Sequence, residues 1–246
     1  MPAIAFFHSL QIIGDGMFFG LDLSSATVWS AFGSIILANI VLSGDNAVVI
    51  AMAARTLKPD LQKKAIFWGS AAAIVMRIIL TIVAIQLLAL PFLKVIGAIL
   101  LVYIGVDLLK GGGDEDGHSK EINGLGAAIR TILIADLVMS LDNVLAVAAA
   151  AKGNLPLLVI GLLVSIPLIV FGATLLTKVM ERFPIIITIG AALLGFLAGE
   201  MLLTDPGVVS RFGVIGEQNV LFGGILGAIL VVALGTWLQK RNQTAH

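Results

Sequence analysis

The sequence contains no cysteine and only three histidines, which limits the chemistry available to it. Without cysteine there are no disulfide bonds and no thiolate metal sites. None of the histidines, at positions 8, 118 and 246, lies in an apolar run, so imidazole ligands inside a membrane segment are excluded. Charge is also scarce, since 12% of the residues are charged, against roughly a quarter in soluble domains. The net charge is zero, so no nucleic-acid partner is expected.

Basic residues are missing from the beginning of the sequence, where none precedes Arg55. A secretory signal peptide needs a positively charged first region, so we do not expect one here. The segment contains two phenylalanine pairs, Phe6-Phe7 and Phe18-Phe19, but is broken by Gly14-Asp15-Gly16. This pattern predicts an interfacial leader over residues 1–28, with a cleaved leader as the alternative.

Apolar residues make up 59% of the chain, which predicts a polytopic membrane protein in the lipid bilayer. We expect an all-α fold, because a bilayer-spanning helix needs about 20 apolar residues and such segments fill most of the length. Seven segments qualify: Trp29–Ala54, Ala65–Leu90, Phe92–Leu109, Gly124–Ala151, Leu155–Thr177, Phe183–Leu203 and Val220–Leu238. Pro91, Pro156 and Pro184 mark boundaries between them. The Gly-rich, charged stretch 111–123 is expected to be a flexible cytoplasmic linker.

The distribution of lysine and arginine predicts the orientation in the membrane. With seven spans, one side carries Arg55, Lys58, Lys63, Lys64, Lys110, Lys120, Arg130, Lys178, Arg182, Lys240 and Arg241, and the other only Lys94, Lys152 and Arg211. The predicted location is the cell (inner) membrane, with the N-terminus outside and the C-terminus cytoplasmic.

A polar motif inside the first span is repeated in the fourth. LANIVLSGDNAVVIAMAAR, residues 37–55, aligns without a gap with IADLVMSLDNVLAVAAAAK, residues 134–152. The third and sixth spans align as well, which pairs Gly97 with Gly190 and Asp107 with Glu200. The copies lie three spans apart, an odd number, so they cross the membrane in opposite directions. We therefore predict two inverted three-helix repeats, 29–110 and 124–203, followed by a seventh helix and tail over 204–246, an arrangement typical of secondary transporters.

The repeated motif supplies oxygen ligands within the membrane. Its aspartates, Asp45 and Asp142, are expected to meet near the bilayer centre, with a helix break at Ser43-Gly44 in the first copy. Two adjacent carboxylates there need a cation or a shared proton. An all-oxygen set favours hard divalent cations such as Mn²⁺, Ca²⁺ or Mg²⁺. The expected metal ligands are Asp45, Asp142, Asn46, Asn143 and the upstream polar residues Asn39 and Asp136. The alternative is that the Asp-Asn pairs cap broken helices or pair with Arg77.

Other polar and glycine positions allow two interpretations each. Arg77 either neutralises a carboxylate when no cation is bound or forms a static buried ion pair. Asp107 and Glu200 are candidate entry and exit carboxylates for the cation, or they simply reach interfacial water. The motifs Gly195-xxx-Gly199 and Gly223-xxx-Gly227 fit close helix packing, either within the chain or in a homodimer.

The motifs NIVLSGDNAVVIA and DLVMSLDNVLAVA, together with YIGVDLL and the seven-span layout, resemble the TerC family of integral membrane proteins, within the LysE-like exporters. The resemblance runs from about Trp29 to the C-terminus. It implies manganese export across a bacterial inner membrane, with Asp45, Asp142, Asn39 and Asp136 forming the metal path. Several members of the family carry a carboxylate where this chain has Asn39, a departure that would weaken cation affinity or change the choice of cation. The family's association with tellurite resistance gives no guide, because carboxylates repel an oxyanion.

We therefore expect a secondary-active exporter of a divalent cation, most directly Mn²⁺, that exchanges it for protons. The cation is cargo, no cofactor is expected, and the protein is not expected to be an enzyme. No nucleotide-binding motif appears, so an ion gradient would drive transport. Two alternatives remain: a non-transporting membrane partner that stabilises or metal-loads other proteins, and an exporter of small organic solutes.

Overall fold

The computed structural model describes residues 17–18, 21–22, 25–42, 44–88, 90–110, 120–150 and 155–244, almost all of them helical. Two short antiparallel strands of two residues each, β1 (Met17–Phe18) and β2 (Leu21–Asp22), precede the helices. The helices are α1 (Ala26–Leu42), α2 (Gly44–Ala54), α3 (Pro59–Leu88), α4 (Leu93–Lys110), α5 (Lys120–Ala150), α6 (Leu155–Arg182), α7 (Ile185–Leu203), α8 (Pro206–Phe212) and α9 (Glu217–Thr244). Most of the leader predicted over residues 1–28 lies outside the described residues.

The predicted all-helical membrane architecture is confirmed, but not the number of spans. Five helices are long and apolar enough to cross a membrane: α3, α5, α6, α7 and α9. The predicted first span is divided between two shorter apolar helices, α1 and α2. The predicted third span corresponds to α4, which has 18 residues and carries Lys94, Asp107 and Lys110. The seven-span count and the inverted repeats therefore stay predictions, as does the orientation of the termini.

Proline and charged residues explain the helix boundaries that differ from the predicted segments. α3 begins at Pro59, six residues before the predicted second segment, Ala65–Leu90. Proline is well suited to the first helical position, and Asp60 favours the first turn. α5 begins at Lys120, inside the predicted linker, whose residues 111–119 lie outside the described part of the chain. α7 begins directly after Pro184, as predicted. The short helix α8 was not predicted.

The surface of the helix bundle is apolar in the way that lipid contact requires. Large side chains such as Ile99, Phe171 and Leu226 are more than three-fifths exposed. Exposing so many apolar side chains is unfavourable in water but not among the acyl chains of a lipid bilayer. The polar exceptions are inside, where Arg77, Asp136 and Ser140 are buried. This inverted distribution of polarity agrees with a multi-pass membrane protein.

The helices form two groups that meet at α2. In one group α3 packs on α5 and α6, and α1 lies against α5 and α6. In the other group α4, α7 and α9 pack on one another. α2, which carries the first Asp-Asn motif, contacts α5 and α6 on one side and α7 on the other. The two motif-bearing helices are therefore neighbours, and α4 also packs on α5.

The glycine motifs on α7 and α9 pack on each other within the chain. A Cβ atom added to Gly195 would overlap the carbonyl oxygen of Gly227, and one added to Gly199 would overlap that of Gly223. Only glycine permits backbones to approach so closely. Intramolecular packing therefore accounts for both motifs. A homodimer stays a prediction that must rest on other surfaces.

Candidate functional site

A small cavity lies where α2, α4, α5 and α7 come together. Its volume is about 60 Å³. Three polar side chains line it, Asp45 from α2, Asn143 from α5 and Glu200 from α7. Leu101, Met139, Leu197 and Met201 complete the wall. The cavity thus joins the first motif, the second motif and one of the paired carboxylates, all of which the sequence identified separately.

Asp45 lies in the first turn of α2, at the beginning of the helix. The backbone N–H of Asn46 donates a hydrogen bond of 2.7 Å to Oδ1 of Asp45. Helix beginnings leave backbone amides without intrahelical partners, and a carboxylate there satisfies one of them. α1 is described to Leu42 and α2 from Gly44, and Ser43 between them lies outside the described residues. The predicted break stays a prediction, supported by this hydrogen bond, while α5 runs continuously past Leu141.

Helical spacing brings the remaining wall residues to the cavity. Met139 and Asn143 are four residues apart on α5, so they share one face of that helix. Leu197, Glu200 and Met201 share one face of α7 for the same reason. One face of α5 and one face of α7 therefore supply five of the residues that line the cavity.

The paired glycines of the predicted repeats hold these helices close together. A Cβ atom on Gly97 of α4 would lie 2.8 Å from Cγ1 of Val138 on α5. A Cβ atom on Gly190 of α7 would lie 2.6 Å from Sδ of Met52 on α2. Each glycine of the pair thus lets its helix approach the motif helix of the other half of the chain.

Arg77 and Asp136 form a buried ion pair beside the cavity. Nη2 of Arg77 donates to Oδ1 of Asp136, and Nε of Arg77 donates to Oγ of Ser140 over 3.0 Å. The Ser140 hydroxyl in turn donates to Oδ2 of Asp136 over 3.3 Å. Both oxygens of Asp136 are therefore occupied within the protein. Asp45 interacts electrostatically with both charges of this pair, attracted by Arg77 and repelled by Asp136.

The other predicted ligands are not all brought to the cavity. Asn46 is buried next to Asp45, and Asp107 is half-buried on α4, but neither is among the residues that line the cavity. The side chains of Asn39 and Asp142 lie outside the described part of the chain. Within that part, no three histidine, cysteine, aspartate or glutamate side chains form a group able to hold a metal ion. The site described here has two carboxylates and one amide.

Asp205 was missed in the sequence, although the structure gives it a clear role. Its carboxylate accepts hydrogen bonds from the backbone N–H groups of Gly207 and Val208 at the start of α8. It also accepts from those of Phe92, just before α4, and Lys94, in the first turn of α4. Burial of the carboxylate would raise the pKa of Asp205, but the four N–H groups outweigh it and lower that pKa. The pattern Asp205-Pro206 is a helix-start signal that would have revealed this residue.

Asp205 also stabilises an unusual backbone conformation. Phe92 has a φ of 64°, in the left-handed region that non-glycine residues rarely adopt. Its ring lies where a Cβ atom on residue 207 would be, 2.8 Å from Cε1, so Gly207 is required there. The connection before α4 and the connection after α7 are thus fixed to each other.

Comparison with known proteins places the chain in a family. The integral membrane protein TerC family matches residues 24–243. The membrane protein YjbE of Bacillus subtilis is 47% identical over 195 residues, which cover 79% of this chain and 89% of YjbE. YceF of B. subtilis is 26% identical, covering 93% of this chain and 90% of YceF. The inner membrane protein YgdQ of Escherichia coli is 22% identical, covering 89% of this chain and 97% of YgdQ. No solved structure matches. The chain belongs to the TerC family of integral membrane proteins.

Proposed function

We propose that the protein is a secondary-active exporter of divalent metal cations, most directly of Mn²⁺. The observation that carries the proposal is the cavity in which Asp45, Asn143 and Glu200 meet between helices of the two halves of the chain. The TerC family is generally linked to ion or metal transport. The choice of ion and the direction of movement are our inference.

The donors of the cavity match a divalent cation in charge and number. Asp45 and Glu200 together balance two positive charges when both are ionised, and Asn143 adds a neutral oxygen. A volume of about 60 Å³ accommodates the equivalent of about two water molecules, at about 30 Å³ each, so an ion and a water ligand fit together. Oxygen donors suit Mg²⁺, Ca²⁺ and Mn²⁺ alike. The thioethers of Met139 and Met201 are softer ligands, which favour a transition metal over Mg²⁺ and Ca²⁺.

The surroundings of the cavity suggest how release of the cation is coupled to a counter-ion. Without a cation, two carboxylates in a small apolar cavity repel each other. Arg77 lies close enough to Asp45 to offset part of that repulsion, but its charge is already matched by Asp136. Uptake of a proton is the remaining way to neutralise the site, which supports exchange of protons for the metal. Movement of the start of α2 against α5 and α7 would open the cavity to alternate sides.

Binding by the purified protein tests the proposal at its first step. A ligand present at 100 times its Kd stabilises a protein by about 2.7 kcal/mol. We expect Mn²⁺ to raise the unfolding temperature in detergent, and Mg²⁺ and Ca²⁺ to do so only at higher concentration. Asp45→Asn removes one charge from the cavity and should abolish the increase. Asp60→Asn is the matched control, because Asp60 is exposed in the first turn of α3.

The same experiment separates the alternatives. An increase with lysine or another organic solute, and none with any cation, would favour the organic-solute exporter. An increase with Mn²⁺ that persists in Asp45→Asn would place the metal site elsewhere in the chain. Binding without movement of the ion across a membrane would favour the non-transporting partner.

A further inference from the structure

A second, larger cavity lies at the end of the helix bundle where α2, α4 and α6 end and α7 begins. Its volume is about 550 Å³. Polar wall residues are Arg55, Glu181, Thr188 and Gln239, and apolar ones include Leu109 and Ile185. It shares no wall residue with the Asp45 cavity. Nothing in the proposed transport mechanism uses it.

Arg55 is the residue in this wall that requires an explanation. Its Nη2 donates a 2.8 Å hydrogen bond to the carbonyl oxygen of Leu108, which holds the guanidinium against the end of α4. Its Nε is buried and has no hydrogen-bond partner in the part of the chain that the structure describes. A buried donor left without a partner costs about 1–3 kcal/mol, and more when it is charged. Such a donor beside a cavity indicates that a ligand supplies the acceptor.

The electrostatics of this cavity favour an anion. Burial lowers the pKa of Arg55, and no carboxylate of the described residues forms an ion pair with its guanidinium. The last turns of α4 and α6, which end here, carry Lys110 and Arg182. Glu181 is the acidic residue in the wall, and its side chain is exposed to the surroundings. Arg55 is half-buried, so its guanidinium is the less exposed of the two charged groups in the wall, and it is positive.

We propose that this cavity binds the phosphate group of an anionic phospholipid, with Arg55 as its principal donor. A guanidinium matches phosphate oxygens with paired N–H donors, and Thr188 and Gln239 offer further hydrogen bonds. The apolar side chains Leu109, Pro184 and Ile185 suit the glycerol and acyl parts of a lipid. Basic cavities between membrane helices are known to hold such headgroups. Inorganic phosphate shares the chemistry, so the test includes it.

Delipidated full-length protein in detergent provides the test. We expect phosphatidylglycerol to raise the unfolding temperature by several degrees relative to phosphatidylcholine.

Gln239→Leu keeps the bond from Arg55 to Leu108 and should weaken phosphatidylglycerol binding several-fold. Arg55→Lys keeps the charge but not the paired donors, and should weaken it about tenfold. Glu181→Gln removes the opposing charge and should strengthen it. Arg241→Gln, an exposed arginine over the ring of Trp237, is the control and should leave binding unchanged.

Three outcomes decide the matter. Selective stabilisation by phosphatidylglycerol, reduced in Gln239→Leu and Arg55→Lys, supports the lipid site. Equal stabilisation by inorganic phosphate with the same variant pattern supports the phosphate site but assigns it to a soluble anion. The proposal is overturned if neither anion stabilises the wild-type protein, or if the wall variants and Arg241→Gln respond alike. Native mass spectrometry of retained phosphatidylglycerol gives an independent reading for any variant of low stability.

Discussion

Asp45 and Glu200 face one cavity, although they belong to helices from opposite halves of the chain. Asp45 lies at the start of α2, and Glu200 lies in the last turn of α7. The sequence suggested Glu200 as an entry or exit carboxylate and Asp45 as a central ligand. Their common cavity makes Glu200 a candidate ligand in its own right, and it supplies the second negative charge for a divalent ion.

Replacing Glu200 tests whether the cavity needs two charges. Glu200→Gln keeps the shape of the side chain but leaves one carboxylate facing the ion. We expect Mn²⁺ affinity to fall at least tenfold, about 1.4 kcal/mol, as measured by titration of the unfolding temperature or by calorimetry. Glu217→Gln, in the exposed first turn of α9, should not change it. Unchanged affinity in Glu200→Gln would remove this residue from the site.

The two methionines are expected to determine which divalent ion is preferred. Exchange of methionine for leucine conserves volume, and such exchanges usually cost less than about 1.5 kcal/mol of stability. The double variant Met139→Leu, Met201→Leu should therefore remain folded while losing both thioethers. We expect the ratio of Mn²⁺ affinity to Mg²⁺ affinity to fall several-fold, mainly through weaker Mn²⁺ binding. An unchanged ratio would assign selectivity to the oxygen donors alone.

The ion pair between Arg77 and Asp136 is expected to contribute to stability through mutual compensation. Removing one partner leaves an uncompensated buried charge, which typically costs about 3–5 kcal/mol. Arg77→Gln should therefore lower the unfolding temperature markedly. The double variant Arg77→Gln, Asp136→Asn should recover a large part of the loss, because neither charge remains. Additive losses in the double variant would show that the two residues act separately.

Asp205 gives a prediction about acid pH. The pKa of Asp205 is lowered in the folded protein, so the unfolded chain binds its proton first as the pH falls below the usual value of 3.8. Its stabilising contribution is complete above that value and is lost as the pH falls through the lowered pKa. Asp205→Asn should lower the unfolding temperature by several degrees at neutral pH. The difference from wild type should stay constant down to about pH 4 and shrink below it. A difference that is the same at all pH values would contradict this role of the carboxylate.

Several features of the site were predictable because they depend on local sequence. Apolar length indicated the helices, and Pro156 and Pro184 marked two of their boundaries. Polar residues in an apolar helix need partners, and this rule identifies Asp45, Arg77 and Asp136 from the sequence alone. The alignment of the motifs predicted that α2 and α5 would be close, and they are in contact.

Other features depend on contacts between distant segments, which a single sequence does not reveal. From the sequence, Arg77 could pair with a carboxylate of either motif segment. The packing of α3 on α5 selects Asp136. The inclusion of Glu200 in the cavity depends on how α7 is rotated against α2. The four amides bound by Asp205 come from two connections more than a hundred residues apart. The break predicted at Ser43-Gly44 in the first span stays a prediction, because Ser43 lies outside the described residues.

Transport of Mn²⁺ by the purified protein in liposomes tests the central claim most directly. Wild-type protein should move Mn²⁺ across the bilayer when a proton gradient is imposed, as followed with a manganese-sensitive dye inside the vesicles. Asp45→Asn should reduce the rate to that of empty vesicles, and Asp60→Asn should retain it. A wild-type rate in Asp45→Asn vesicles, or no flux with the wild-type protein, would contradict the account.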